Sequence, residues 1–139
     1  MHVSEIMSDK VEWVSPDLSL RAAAQKMRDQ DIGCLPVGEN DRLVGMVTDR
    51  DITCRAVADG QPLARTKVRD VMSKGIVYCF DDQDISEAAR MMEQKQIHRL
   101  PVLNRQKRMV GLLSLGDVAL HAPHKLAGEV VAAISQHSH

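Results

Sequence analysis

The sequence predicts an α+β fold made of two β-α-β-β-α units that are related by a pseudo-twofold axis. The first observation behind this prediction is internal repetition, because the chain aligns with itself when Val3 is placed on Val68. The second is that both copies hold the same succession of strand-like and helix-like apolar patterns. The third is size, since a unit of about 60 residues buries only a marginal core alone, so the copies are expected to pack together.

The matching positions run through both copies, which indicates a duplication. One inserted residue, in the turn that follows the Leu-Pro-Val segment, is enough to keep the two copies aligned. The clearest pairs are Met7-Ser8 with Met72-Ser73, Asp17 with Asp82, Ala23-Ala24 with Ala88-Ala89, Leu35-Pro36-Val37 with Leu100-Pro101-Val102, Val44-Gly45 with Val110-Gly111, and Asp51 with Asp117.

The first repeat begins with a short β-prone run over residues 11–14, which Pro16 interrupts. A helix follows, because Leu20, Ala23, Ala24 and Met27 form an apolar stripe at helical spacing, with Ser19 as the expected N-cap. Two strands, 34–37 and 43–48, flank a polar turn, and a second helix is expected from Asp49 towards Ala58.

The second repeat has the same order of elements. A β-prone run covers residues 76–80, and Asp84 with Glu87 indicates a capping box in front of the stripe Ile85, Ala88, Ala89 and Met92. Strands are expected over 99–103 and 109–114, with a helix from Leu115. The predicted organisation is one unit over 1–62, a linker over 63–67, a second unit over 68–123 and a C-terminal tail over 124–139. The tail has a helical pattern that would either dock a second subunit or cover the core.

Composition excludes several classes of function. The net charge is −1 and only 2% of residues are aromatic, which argues against a nucleic-acid partner. No apolar run approaches the about 20 residues that span a bilayer, so no membrane partner is expected. Three well-separated cysteines, Cys34, Cys54 and Cys79, fit buried or half-buried positions in a reducing cytoplasm. No catalytic motif is recognised, so an enzyme is not expected, and neither a required cofactor nor a metal site is predicted.

The candidate site is a motif that occurs once in each repeat, a glycine, two apolar residues, a hydroxyl residue and an aspartate three positions later. The hydroxyl residues are Thr48 and Ser114, and the aspartates are Asp51 and Asp117. At a strand-to-helix junction these groups could hold a nucleoside phosphate, since a carboxylate accepts both hydroxyls of a ribose and backbone N–H groups attract phosphate. The same spacing also serves as a helix cap, and the residues alone leave both interpretations open.

Basic side chains near the motif are candidate phosphate contacts. His98 and Arg99 lie at the start of a predicted strand of the second repeat, where the first repeat has Gly33 and Cys34, so the two sites are expected to be unequal. Arg50 is a further candidate, opposite Gly116. A solvated surface position is the alternative for each arginine.

These segments resemble the cystathionine β-synthase (CBS) domain family, as a tandem pair, over roughly residues 3–121. The resemblance rests on Val14-Ser15-Pro16-Asp17, on Ile32-Gly33-Cys34-Leu35-Pro36-Val37 and on residues 44–52, each echoed in the second repeat. The segment from Ile97 to Val102 is similar to one in the γ subunit of AMP-activated protein kinase, where the His-Arg pair faces nucleotide phosphate.

The resemblance implies a module that binds an adenine nucleotide (AMP, ADP or ATP) in clefts between the units, forms a homodimer and signals to a regulated protein that the sequence does not identify. It implies ribose contacts from Asp51 and Asp117, phosphate or ribose contacts from Thr48 and Ser114, and phosphate contacts from His98 and Arg99. It also implies adenine pockets that are lined, partly through backbone groups, by Val11, Val14, Ile32, Cys34, Leu35 and Pro36, and by Ile76, Cys79, Ile97, Leu100 and Pro101.

Two other functions remain open at the level of the sequence. The first is a structural dimerisation or partner-binding module whose nucleotide clefts are vestigial. The second is metal or redox sensing through the cysteines and through His121, His124, His137 and His139. The loose spacing of these histidines argues against a metal site, because it is typical of a solvated tail.

Overall fold

The structure is a computed structural model that describes residues 1–10, 12–40 and 42–135. The chain forms two compact units. We call Glu12–Ile76 the central unit, and Met1–Val11 together with Val77–His139 the terminal unit. The central unit holds α1 (Leu20–Gln30), β1 (Cys34–Glu39), β2 (Arg42–Thr48) and α2 (Asp49–Asp51), and the terminal unit holds β3 (Cys79–Phe80), α3 (Ile85–Lys95), β4 (Arg99–Leu103), β5 (Met109–Ser114), α4 (Leu115–His121) and α5 (His124–Ser135).

The compact units differ from the repeats in one respect, because each repeat begins with a short segment that packs in the other repeat's unit. Val3 is fully buried in the core of the terminal unit, and its equivalent Val68 is fully buried in the core of the central unit. Each of these valines begins a single 3-10 turn, and both turns are followed by a bridge to the last strand of their unit, Ser8 to Leu112 and Ser73 to Met46. The predicted boundary at 62 follows the sequence repeat, whereas the compact central unit extends to Ile76.

The two β-sheets have equivalent pairings. In the central unit β1 and β2 are antiparallel, with Cys34 opposite Thr48, and in the terminal unit β4 and β5 are antiparallel, with Arg99 opposite Ser114. The terminal unit adds β3, which runs parallel to β4, with Cys79 opposite Val102. The predicted first strand of the first repeat is reduced to one parallel bridge from Val14 to Val37, which occupies the same register as the Cys79 pairing.

The long helices begin where the sequence predicts. Ser19 is the N-cap of α1, and its hydroxyl accepts a hydrogen bond from the Ala22 N–H at 3.1 Å. Asp84 is the N-cap of α3 and accepts from the Ser86 N–H at 3.1 Å. The reciprocal bond predicted from Glu87 is absent among the described residues, because the Glu87 carboxylate accepts from the Gln83 side chain instead.

The second helix of the first repeat is irregular. Only Asp49–Asp51 is α-helical, and residues Ile52–Val57 continue as a π-helical turn. Its partner α4 is a regular α-helix. The C-terminal segment forms α5, whose Ala127, Val130 and Ile134 are buried in the terminal unit, so this helix covers the core of its own unit.

Among the described residues, no helix is both long enough and apolar enough to cross a bilayer.

A close backbone approach joins the leading segment to β5. A Cβ atom added to Gly111 would lie 2.6 Å from the Met7 Sδ and 2.8 Å from the Ser8 carbonyl oxygen, while the Ser8 and Leu112 N–H groups donate to each other's carbonyls at 2.9 Å. Gly45 has the same surroundings in the central unit, from Met72 and Ser73. Because glycine has no Cβ atom, the short segment that begins each repeat can pair with the sheet of the unit in which it packs.

We expect Gly111→Ala to lower the free energy of unfolding by about 1–3 kcal/mol, because the methyl group must displace a paired backbone carbonyl. Gly128→Ala is the matched control, since the same added methyl group meets nothing within 4 Å in α5. The control should raise stability by about 0.4–1 kcal/mol, because alanine restricts the unfolded chain. Urea unfolding of both variants measures the difference, and equal effects would contradict the role assigned to Gly111.

Candidate functional site

The two motif aspartates form reciprocal caps at the strand-to-helix junctions. In the first repeat the Thr48 N–H donates to the Asp51 carboxylate at 2.9 Å, and the Asp51 N–H donates to the Thr48 hydroxyl at 3.0 Å. In the second repeat Ser114 and Asp117 make the same two bonds at the same distances. The capping interpretation of the motif is therefore confirmed, and one oxygen of each carboxylate is committed to the backbone.

The second oxygen of each carboxylate has different surroundings in the two repeats. Asp51 Oδ1 lies 3.9 Å from the Arg55 Nε, a long ion pair, and the Asp51 side chain is only 14% exposed. The bonds described for Asp117 all involve its Oδ2 and its backbone N–H. A capping bond to one oxygen leaves a carboxylate with acceptor capacity for a ligand hydroxyl, so the predicted ribose contact stays a prediction.

The structure brings three predicted site residues together at one cavity in the terminal unit. This open cavity has a volume of about 410 Å³, and its lining includes His98, Arg99 and Ser114. Both basic side chains are exposed at the start of β4, and the Leu115 N–H donates to the His98 carbonyl at 2.8 Å, which fixes β4 beside the start of α4. The rest of the described lining is small or apolar: Leu115, Gly116, Ala119 and Val131.

These four lining residues were not predicted as site residues from the sequence. Leu115, Gly116 and Ala119 lie in the first turns of α4, directly after the Ser114 cap, so their nearness to the motif was the available signal. Val131 lies on α5, in the tail whose helical pattern was expected to dock a second subunit or cover the core, and it is 36% exposed beside buried Val130. No clear signal in the sequence marked Val131, because two adjacent apolar helix residues can both be buried, as Ala88 and Ala89 are.

The equivalent junction of the first repeat has a different surface. Gly33 stands where the second repeat has His98, and a Cβ atom added to it would lie 2.8 Å from the Asp49 Oδ2. The Asp49 carboxylate thus lies over Gly33, and its Oδ1 accepts from the Arg50 N–H at 2.8 Å. Cys34 is buried, whereas its equivalent Arg99 is exposed, and Arg50 is exposed on the first turn of α2.

Most of the predicted adenine-pocket residues contribute their side chains to the cores. Val14, Leu35, Cys79 and Leu100 belong to the buried core, and Cys34, Pro36 and Pro101 are also buried. Ile32, Ile76 and Ile97 are half-buried, and Val11 lies outside the described residues. The side chains of the buried members are therefore committed to the core, and their contact with adenine stays a prediction.

The cysteines divide into two environments. Cys34 and Cys79 are buried, and burial raises the pKa of the Cys79 thiol to about 12, which makes that thiol unreactive at neutral pH. The expectation that all three are at least half-buried is wrong for Cys54, which is exposed because it faces outward from the π-helical turn.

Metal-binding side chains are not brought together in the described part of the chain, where no three His, Cys, Asp or Glu residues form a ligand cluster. His121 ends α4 and His124 begins α5, and both are exposed. The other two histidines of the metal-sensing alternative, His137 and His139, lie outside the described residues.

A family model and a curated relative assign the chain to the same protein family. The model of the CBS domain matches residues 3–56 and 68–123. The CBS domain-containing protein YhcV of Bacillus subtilis is 37% identical over 96% of this chain and 94% of that protein.

Two solved structures have the same fold. A crystal structure of Hypoxic Response Protein I with two coordinated zinc ions shares 37% sequence identity, with a TM-score of 0.80, over 88% of this chain and all of that chain (100%). A crystal structure of CBSX2 in complex with AMP has a TM-score of 0.72 over 97% of this chain and 96% of that chain. At 23% identity, the second likeness shows the fold alone.

We expect Ser114→Ala to lower the free energy of unfolding by about 1 kcal/mol, because the Asp117 N–H loses its acceptor at the helix N-terminus. Thr48→Ala should have an effect of the same size, since the two caps have the same geometry. Thr53→Ala, at an exposed position in the same unit as Thr48, is the control and should be nearly neutral. Denaturant unfolding gives all three values, and a neutral Ser114→Ala would contradict a structural role of the cap.

Proposed function

The chain belongs to the CBS domain family, with two tandem copies of the domain, and from that premise we propose that it binds an adenosine-containing ligand and transmits occupancy to a partner protein. The family match supports a CBS pair regulatory module. The ligand, the partner, a homodimeric state and a cytoplasmic location are parts of the proposal.

One observation supports the ligand proposal most directly, the cavity of about 410 Å³ that His98, Arg99 and Ser114 share. Its volume lies within the range of about 300–1,000 Å³ that is usual for small-molecule sites. Its lining also combines apolar residues with a few polar ones, as is usual for such sites.

The chemistry of the lining fits a nucleotide of the AMP type. The Arg99 guanidinium presents several N–H donors in one plane, which suits phosphate oxygens, and His98 adds a second donor. Leu115, Ala119 and Val131 offer apolar surface to a flat base. Asp117 is not among the residues that line this cavity; it lies one turn into α4, and its carboxylate keeps acceptor capacity for a ribose hydroxyl beyond the capping bond.

The regulatory part of the proposal rests on linkage. A ligand shifts an equilibrium between two conformations only by the difference in its affinity for them. A partner that recognises one conformation then reports occupancy, and the coupling acts equally in both directions. Because α5 lines the cavity through Val131, we propose this helix as the element whose packing responds to the ligand.

We expect AMP to bind the wild-type protein with a micromolar to sub-millimolar dissociation constant, about 5–8 kcal/mol. Arg99→Ala should weaken AMP about ten-fold, because a charged donor to phosphate is removed, and should leave adenosine almost unchanged. Isothermal titration calorimetry with both ligands measures the two constants.

Arg90→Ala is the matched control, since it removes one exposed positive charge from α3 in the same unit, away from the cavity lining. The control should leave AMP affinity within two-fold, apart from general screening effects. Absence of binding heat and of any melting shift with adenosine, AMP, ADP or ATP would refute the ligand proposal.

A specific observation also favours a second candidate function, a structural or partner-binding module with vestigial clefts. Both motif aspartates already have a structural task, because each caps its junction. On this alternative the motif persists for helix stability alone, and no ligand response depends on it.

Asp117→Asn separates the two candidates, because the amide oxygen can still accept the Ser114 N–H while the second acceptor for a ribose diol is lost. If the carboxylate holds ribose, affinity for adenosine and AMP should fall about ten-fold with little change in melting temperature. If the motif is only a cap, ligand binding stays unchanged. Calorimetry and thermal melting of the same sample give both quantities.

A further inference from the structure

The central unit contains a second cavity, which the proposed function does not use. Its volume is about 670 Å³, larger than that of the cavity beside His98 and within the range usual for small-molecule sites. One wall is the π-helical turn, and the other is the segment 59–71, which leads into the second repeat. The polar side chains of the lining are Arg55, Asp59, Gln61, Arg65, Thr66 and Asp70.

The cavity lies where the backbone of the first repeat departs from that of the second. In the first repeat the π-helical turn over Ile52–Val57 is followed by a connecting segment over residues 58–67. In the second repeat α4 is a regular α-helix, and only Ala122 and Pro123 separate it from α5. Short π-helical turns are rare and frequently occur at functional sites, so a rare backbone feature and a cavity coincide here.

Hydrogen bonds hold both walls of the cavity in place. Arg55 Nη1 donates to the Val71 carbonyl at 2.9 Å, and its Nε lies 3.9 Å from Asp51 Oδ1. On the opposite wall the Pro62 carbonyl accepts from the Thr66 hydroxyl at 2.8 Å and from the Thr66 N–H at 2.9 Å. A guanidinium carries five N–H donors, so Arg55 is fixed in position while several of its donors remain available to a ligand.

The lining carries charges of both signs that do not neutralise one another. Within the described residues no ion pair joins Arg55 or Arg65 to Asp59 or Asp70. The Arg65 and Asp59 side chains make no hydrogen bond to any described residue, and the Asp70 carboxylate accepts the Lys67 N–H at 3.0 Å. A simple anion would meet two carboxylates here, and a simple cation two guanidinium groups, whereas a ligand with both charges finds a partner for each.

We infer that this cavity is a binding site for a small zwitterion of the amino-acid type, with the ligand carboxylate held by Arg55 and Arg65 and the ligand ammonium group held by Asp59 and Asp70. A planar guanidinium matches the two oxygens of a carboxylate, and a carboxylate accepts the N–H groups of an ammonium ion. The inference goes beyond the adenosine site, because the two cavities share no lining residue.

Binding at this place would stabilise the connection between the repeats. The segment on the far wall carries Val68 and Val71, which are buried in the core of the central unit. A ligand that bridges this segment and the π-helical turn favours the folded arrangement of both, and mass action then raises the melting temperature with ligand concentration.

The test uses the full chain and the proteinogenic L-amino acids, added one at a time at millimolar concentration. We expect at least one of them to raise the melting temperature, and isothermal titration calorimetry then gives its dissociation constant. The N-acetyl derivative of that amino acid keeps only the carboxylate, and its amide derivative keeps only the ammonium group. Each derivative should bind about ten-fold more weakly than the parent, because one charge-assisted contact is lost.

Arg65→Gln and Asp59→Asn test the assigned residues. Each should weaken the amino acid about five- to ten-fold and leave the melting temperature of the ligand-free protein unchanged, because neither side chain has a bonding partner in the described part of the chain. Arg55 is not varied, since its bond to Val71 joins two chain segments. Arg42→Gln and Asp29→Asn are the matched controls, because they remove exposed charges of the same unit outside the lining, and they should change the affinity by less than about two-fold.

Three results would overturn the inference. The first is that no amino acid shifts the melting temperature. The second is that the N-acetyl derivative or inorganic phosphate binds as tightly as the parent amino acid, which would make the cavity an anion site. The third is that Arg65→Gln and Asp59→Asn behave like the controls, which would place the ligand elsewhere. The adenosine proposal is unaffected by each of these results, since Arg99→Ala tests it at the other cavity.

Discussion

The reciprocal cap at the strand-to-helix junction is the constraint on which the candidate site depends. It forces a hydroxyl residue to end the last strand and an aspartate to stand three residues later, in both repeats and with the same distances. Because Thr48 pairs across the sheet with Cys34, and Ser114 with Arg99, the cap also decides which residues of the neighbouring strand lie beside the helix start. The location of the site is thus a consequence of backbone hydrogen bonding, before any ligand is considered.

Much of the fold could be predicted because apolar spacing and capping residues act locally. The α1 and α3 stripes, Ser19 and Asp84 as N-caps and the paired strands follow from their own sequence. The exchange of the leading segments could not be predicted, since a buried valine such as Val3 has the same pattern whichever core receives it. The π-helical turn after Asp51 was missed for a similar reason, because helical periodicity does not resolve the number of residues in one turn.

The candidate site was predicted in part. His98, Arg99 and Ser114 were predicted from their chemistry and from the resemblance; they line one cavity, and their role as ligand contacts stays a prediction. The motif aspartates stayed ambiguous because a cap and a ribose contact require the same residue at the same spacing, and the structure shows the cap directly. The contribution of Val131 depends on how α5 returns to the terminal unit, which is a long-range packing choice that local pattern does not specify.

Comparison of the two repeats separates the residues that the fold needs from those that set what the site recognises. Two sets of residues are equivalent in both repeats. They are the capping pairs, which bond to the backbone, and the glycines that leave space for the leading segment beside the sheet. The neighbouring side chains differ, with Gly33, Asp49 and Arg50 in one repeat and His98, Leu115 and Gly116 in the other. A substitution at these positions leaves the capping hydrogen bonds in place, so charge there can change without loss of the junction. The two junctions therefore share one set of capping hydrogen bonds while the side chains around them differ.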